Sequence, residues 1–132
     1  MKIVADTNIL VRAVMGDHAK QSPAAQRLLS EAKLVIMPTV ALCELVWVLR
    51  RVYALSSDQA AVAVRALTRA DNAVTDGALL EAGLSVLDRG GDFADGAIAY
   101  EGVMSGAEVF ASFDKKALRL LSETGIDTLN PT

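Results

Sequence analysis

Short apolar runs punctuated by polar residues alternate along the chain with longer stretches whose apolar residues recur every three or four positions. "KIVA" (Lys2 to Ala5) is a run of the first kind and reads as a short buried strand, ended by the polar triplet "DTN", after which "ILVRAV" begins a helix. "SPAAQRLLSEAK" opens with Ser22 as N-cap and Pro23 at the first helical position, and leads into a second strand, "LVIM". Pro38 stops that strand. Thr39 is then placed to cap a long helix, "VALCELVWVLRRVYA", and after "LSSD" a further helix, "QAAVAVRALTRA", makes a helical hairpin with it. The rest reads as strand "NAVT", helices "DGALLEAGLSVLDRG" and "ADGAIAYEGVMSG", strand "AEVFAS", helix "KKALRLLSETG" and a last segment, "IDTLN", that closes the sheet. Strands alternating with helices throughout predict an α/β fold with a mainly parallel sheet and right-handed crossovers. No repeat, low-complexity tract or linker interrupts the pattern, so a single domain spanning residues 1–132 is expected.

Composition narrows the chemistry. With 52% apolar and 22% charged residues the chain has enough apolar surface to fold as one globular body. The richest apolar stretch is broken by Pro38, Thr39 and Glu44, so no membrane span is expected, and "MKIVADTN" is too short in apolar residues to act as an export signal. A single cysteine, Cys43, and a single histidine, His18, supply neither a disulfide nor a zinc site, which fits a reducing, cytoplasmic setting. A net charge of −3 argues against coating nucleic acid through a broad positive field.

The acids carry the chemistry. In a parallel sheet ligands bind beyond the C-terminal strand ends, and Asp6 follows "KIVA" there as Asp114 follows "EVFASF". Each is also a good helix N-cap, as are Asp92 and Asp95. Glu44 shares a helix face with Val40, Ala41, Trp47 and Val48, where a carboxylate is costly unless it reaches water or pairs with Arg51. Several carboxylates gathered at one edge raise one another's pKa values until a cation neutralises them. Hard oxygen donors without thiolate or imidazole suit Mg²⁺ or Mn²⁺, and such ions serve phosphoryl chemistry.

"VADTNILV", the glutamate of "PTVALCELVWVL", "DFADGAIA" and "GAEVFASFDKKALRL" stand in the order typical of PIN domains, and the chain resembles most closely the VapC-type toxins of bacterial toxin–antitoxin pairs. The resemblance implies a three-layer α/β/α fold and a metal-dependent endoribonuclease. By the same resemblance Asp6, Glu44, Asp95 and Asp114 form an acidic quartet that binds Mg²⁺ or Mn²⁺, while Asn8 and Ser112 support the acids and Asp92 matches an acidic position present in part of the family. It further implies a homodimer and a small antitoxin that blocks the acidic pocket. Arg50 and Arg51, or Lys115, Lys116 and Arg119, can hold RNA phosphates or simply face solvent. With few aromatic residues, no base-stacking platform stands out. Three other classes compete. A haloacid dehalogenase-type phosphatase requires a second Asp where Asn8 stands, a response-regulator receiver needs an early acidic pair, and a catalytically idle binding module is expected to have lost an acid.

Overall fold

The computed structural model describes residues Met1–Thr132, which form two compact units, Met1–Asp76 and Gly77–Thr132. In the first unit β1 (Lys2–Val4), β2 (Leu34–Ile36) and β3 (Ala73–Val74) make a parallel sheet in the order β1-β2-β3. The helices α1 (Thr7–Met15) and α2 (Gln21–Glu31) connect β1 to β2, and α3 (Thr39–Arg51) and α4 (Ser57–Thr68) connect β2 to β3. Register aligns Ile3 with Val35 and Ala73, and Val4 with Ile36 and Val74. Strand side chains alternate between faces, so these rows lie on opposite sides of the sheet. Val35 is buried on one side, whereas Val4, Ile36 and Val74 are exposed on the other. The expectation of a wholly buried first strand is corrected accordingly. Apolar spacing explains the helical core: Leu42, Leu45, Val46 and Leu49 recur every three or four residues along α3 and are all buried, as are Leu10 and Val11 of α1 and Ala60, Ala61 and Val64 of α4. The helices α3 and α4 pack on each other as the expected hairpin.

Several helix starts differ from the sequence reading. Ser22 lies inside α2 rather than at its cap, and it is buried, its hydroxyl accepting from the His18 backbone N–H at 3.1 Å. His18 takes the capping role instead. Its Nδ1 accepts from the N–H groups of Lys20 at 3.3 Å and Gln21 at 2.9 Å, two of the donors a helix start leaves unpaired. Thr39 is the first helical residue of α3 and makes no cap bond, because the extended Pro38 already ends the strand and turns the chain. At α4 the cap is reciprocal: Ser56 Oγ accepts from Gln59 N at 3.1 Å while Ser56 N donates to Gln59 Oε1 at 2.9 Å.

The second unit holds α5 (Gly77–Asp88), α6 (Phe93–Met104), β4 (Phe110–Ala111), α7 (Lys115–Glu123) and β5 (Thr128–Leu129). The strands β4 and β5 pair in parallel with each other, so "IDTLN" extends a separate two-stranded ladder and not the three-stranded sheet. Val86, Ala99, Leu120 and Leu121 form its apolar cluster, with Phe110 and Ile126 packed against it. The closest helix contact in the unit is between α5 and α6. A Cβ on Gly96 would stand 2.3 Å from the Ala82 carbonyl oxygen, and one on Gly83 would meet the Phe93 ring at 2.6 Å. Glycine at both positions lets the two helices approach this closely.

Candidate metal-binding acids

In the first unit Asp6 occupies the turn from β1 into α1. Its Oδ1 accepts from the Thr7 N–H at 2.7 Å and caps the helix, which leaves Oδ2 uncommitted to the backbone. The buried Thr7 turns its hydroxyl to α3, where Oγ1 donates to Glu44 Oε2 at 2.9 Å. Thr7 therefore joins the two candidate site acids, Asp6 and Glu44, one through its backbone and the other through its side chain. Sequence reasoning passed over Thr7; its signal was the hydroxyl between two flagged residues in "DTN". Glu44 is exposed, and so are its face neighbours Val40 and Trp47. The expected burial cost does not arise, because α3 buries the adjoining face of Leu42, Leu45 and Leu49, and Glu44 takes Thr7 as its partner rather than Arg51. Asn8 is exposed and lines a cleft with Asp6 without a hydrogen bond to it.

In the second unit three acids stand at helix starts. Asp92 caps α6 by accepting from Ala94 N at 3.1 Å. Asp114 caps α7 through Oδ1, which accepts from Lys116 N at 2.9 Å and Ala117 N at 3.1 Å. Ser112 Oγ accepts from the Asp114 N–H at 3.0 Å and so fixes the turn that presents that carboxylate. Asp95 differs in making no cap. It sits half-buried in the first turn of α6, and burial first, then the negative charges of Asp92 and Asp114, push its carboxyl up to about 6. The protein thus sets three like charges near one another with no ammonium or guanidinium among the causes acting on Asp95. Two cations of α7 are engaged elsewhere: Lys116 Nζ donates to the Gly90 carbonyl at 2.8 Å, and Arg119 lies 4.0 Å from Glu123.

No three acidic, histidine or cysteine side chains are drawn together closely enough to hold an ion among themselves. The donor set still fits a hard divalent cation, since it consists of carboxylates and lacks thiolate and imidazole. Where Asp6 and Asp114 give one oxygen to a helix start, the second remains for a cation, and a fixed first oxygen orients it.

Residues 3–122 match the model of the PIN domain. The chain belongs to the PIN domain family. The match spans Asp6, Glu44, Asp92, Asp95 and Asp114 and confirms the α/β fold expected of the sequence. PIN domains are in general metal-dependent nucleases, acting on nucleic acid. A comparison with curated proteins found no match. No helix of this PIN domain is long and apolar enough to cross a membrane.

Proposed function

We propose that this PIN domain is a Mg²⁺- or Mn²⁺-dependent endoribonuclease in which Asp6, Glu44, Asp95 and Asp114 hold the metal. The observation that carries the reading is the single family match running through all four acids, which supports their action as one nuclease domain. Bound there, a divalent cation supplies Lewis acidity toward a phosphodiester oxygen and lowers the pKa of a water for in-line attack. The protein's own contribution is orientation. Capping bonds hold Asp6 and Asp114, and the Thr7 hydroxyl holds Glu44. Asp95 enters with a weakened hold on its negative charge, so a cation that binds beside it relieves repulsion from Asp92 and Asp114 as well. Asn8 and Ser112 serve as supporting residues in this proposal, with Ser112 acting through the Asp114 turn.

The resemblance to VapC-type toxins makes a toxin–antitoxin role the finer form of the proposal, with a cytoplasmic protein, a small antitoxin partner and a homodimer. Self-association is supported by apolar side chains on the hairpin: Val40 is 70% and Trp47 59% exposed on α3, and Val62 is 68% exposed on α4. The deciding experiment compares hydrolysis of single-stranded RNA with that of a phosphomonoester, with Mg²⁺ or Mn²⁺ and in EDTA. Metal-dependent cleavage of RNA alone is expected. Hydrolysis of RNA undiminished in EDTA, or of the monoester alone, overturns the reading.

A further inference from the structure

The faces by which α1 and α2 meet do not close completely. Asn8, Ile9 and Arg12 project from α1 at helical spacing, and Gln21, Ala24, Ala25 and Leu28 do so from α2, lining with Asp6 a cleft of about 570 Å³. The helices pack as a hairpin about the short connection 16–20, so Arg12 and Gln21 lie toward its closed end and Asp6 and Asn8 toward the other. The lining combines three chemistries. Ile9, Ala24, Ala25 and Leu28 make an apolar wall. Arg12 supplies a partly exposed guanidinium, one helical turn or about 6 Å along α1 from Asn8. Its Nη1 also lies 3.8 Å from Asp17 Oδ1, a partner that a phosphate would have to displace or share. Asn8 and Gln21 supply amides, and neither is used up: the Asn8 side chain makes no hydrogen bond, and Gln21 is engaged only through Oε1, which accepts from Arg12 Nε at 2.9 Å.

An unpartnered amide at Asn8, a Gln21 amide with its donors still open, an apolar wall and a cation are together what an unpaired nucleotide requires. A base gives two apolar faces and a polar edge of donors and acceptors, and its phosphate takes a guanidinium. Asn and Gln amides carry both donor and acceptor and therefore suit a base edge. We propose that the α1–α2 cleft is a nucleotide subsite, holding one unpaired nucleotide of the RNA beside the Asp6 carboxylate. The inference rests on the ribonuclease reading above and adds to it a place where the neighbouring residue of the substrate is gripped. Such a grip gives cleavage a preference for the base at that position, set by the Asn8 and Gln21 amides.

The test uses the full chain, isotopically labelled, without metal, and titrates it with each of the four nucleoside 5′-monophosphates while backbone amide resonances are followed. Shifts are expected at Ile9, Arg12, Gln21 and Leu28, with one base binding more tightly than the others. Ala24→Trp places an indole in the cleft from an exposed helix position. It should weaken nucleotide binding and raise KM for single-stranded RNA by ~5-fold or more, as expected from losing a base contact. Its Mn²⁺-induced rise in melting temperature should stay at the wild-type value, which separates a filled cleft from a damaged fold or metal site. Gln21→Ala should flatten the base preference. If no nucleotide shifts these amides and Ala24→Trp keeps the wild-type KM, the subsite is refuted and the ribonuclease reading stands. Shifts caused by an arginine-rich peptide and by no nucleotide also refute it, and assign the cleft to a protein ligand. Nucleotide shifts in a protein that cleaves no RNA with either metal support the subsite and overturn the ribonuclease reading.

Discussion

Thr7 reaches across 37 positions of sequence to Glu44, its Oγ1 lying 2.9 Å from the carboxylate Oε2. The bond ties the start of α1 to the middle of α3 and gives an exposed acid a partner that orients it. Thr7→Val keeps the shape and removes the donor. Because water can replace the lost donor at Glu44, the cost in stability should be only about 1 kcal/mol. Cleavage should fall further, by ~10-fold or more, as for other residues that orient a metal-holding carboxylate. Thr7→Ser should restore most of it. Chemical denaturation and initial cleavage rates check the two effects, and equal losses in both would remove the orienting role.

Asp95 gives a pH prediction of definite sign. Its carboxyl is raised from 3.8 to about 6 in the folded protein, so the native state keeps a proton that the unfolded chain has released. Stability attributable to this group is therefore greatest at low pH and is lost as pH rises through that window. Because the side chain is only half-buried, solvent damps the effect. Asp95→Asn has no charge to develop, so the melting temperature of the metal-free variant should exceed that of wild type by a margin that widens from pH 4 to 6 and then levels. A margin independent of pH would show that Asp95 titrates normally.

Capping and metal binding can be separated by substitution. Asp6→Asn and Asp114→Asn keep an acceptor for the helix N–H groups and should melt near the wild-type temperature without metal. Cleavage should drop by ~10²-fold or more. Alanine at either position should lose cleavage equally and about 1 kcal/mol of stability besides. Calorimetry with and without Mn²⁺ distinguishes the pairs, since the metal should stabilise wild type more than any of these variants.

Gly96→Ala tests the close approach of α5 and α6. The added methyl would meet the Ala82 carbonyl oxygen at 2.3 Å, which is backbone and cannot swing aside. A destabilisation of about 1–3 kcal/mol is expected from overpacking, measurable by urea titration. Wild-type stability would mean that the helices separate at little cost.

For self-association, Trp47→Arg should shift the mass measured by sedimentation toward the monomer, because it puts a charge on the exposed face of α3. A wild-type protein that is already monomeric at micromolar concentration would remove this part of the proposal.

The strand and helix order was legible because "KIV" and "LVI" are β-branched and apolar while the helices carry their apolar residues at helical spacing. The helix starts were less so. Ser22 and Thr39 are residue types that cap, yet capping depends on where the chain turns, and His18 and Pro38 reached those places first. The pairing of β5 with β4 alone was hidden for a different reason, since two-residue strands carry no pattern that names a partner. At the acids, sequence spacing placed Asp6, Asp92 and Asp114 at helix starts, where the structure has them. It left Glu44 open between reaching water and pairing with Arg51, of which the structure has the first, and it missed Thr7, whose partner lies far along the chain.

That Asp6, Asp92 and Asp114 are helix caps as well as acids bears on how a chain of this kind can decay. Drift to Asn or Ser at these three positions removes charge while the helix ends stay closed, so an inactive descendant can persist as a folded protein. Asp95 caps nothing, and its neutral replacements relieve repulsion, so selection for stability alone would favour losing it first. Among related sequences, an uncharged residue at position 95 beside intact acids at 6 and 114 would mark the earliest stage of that path.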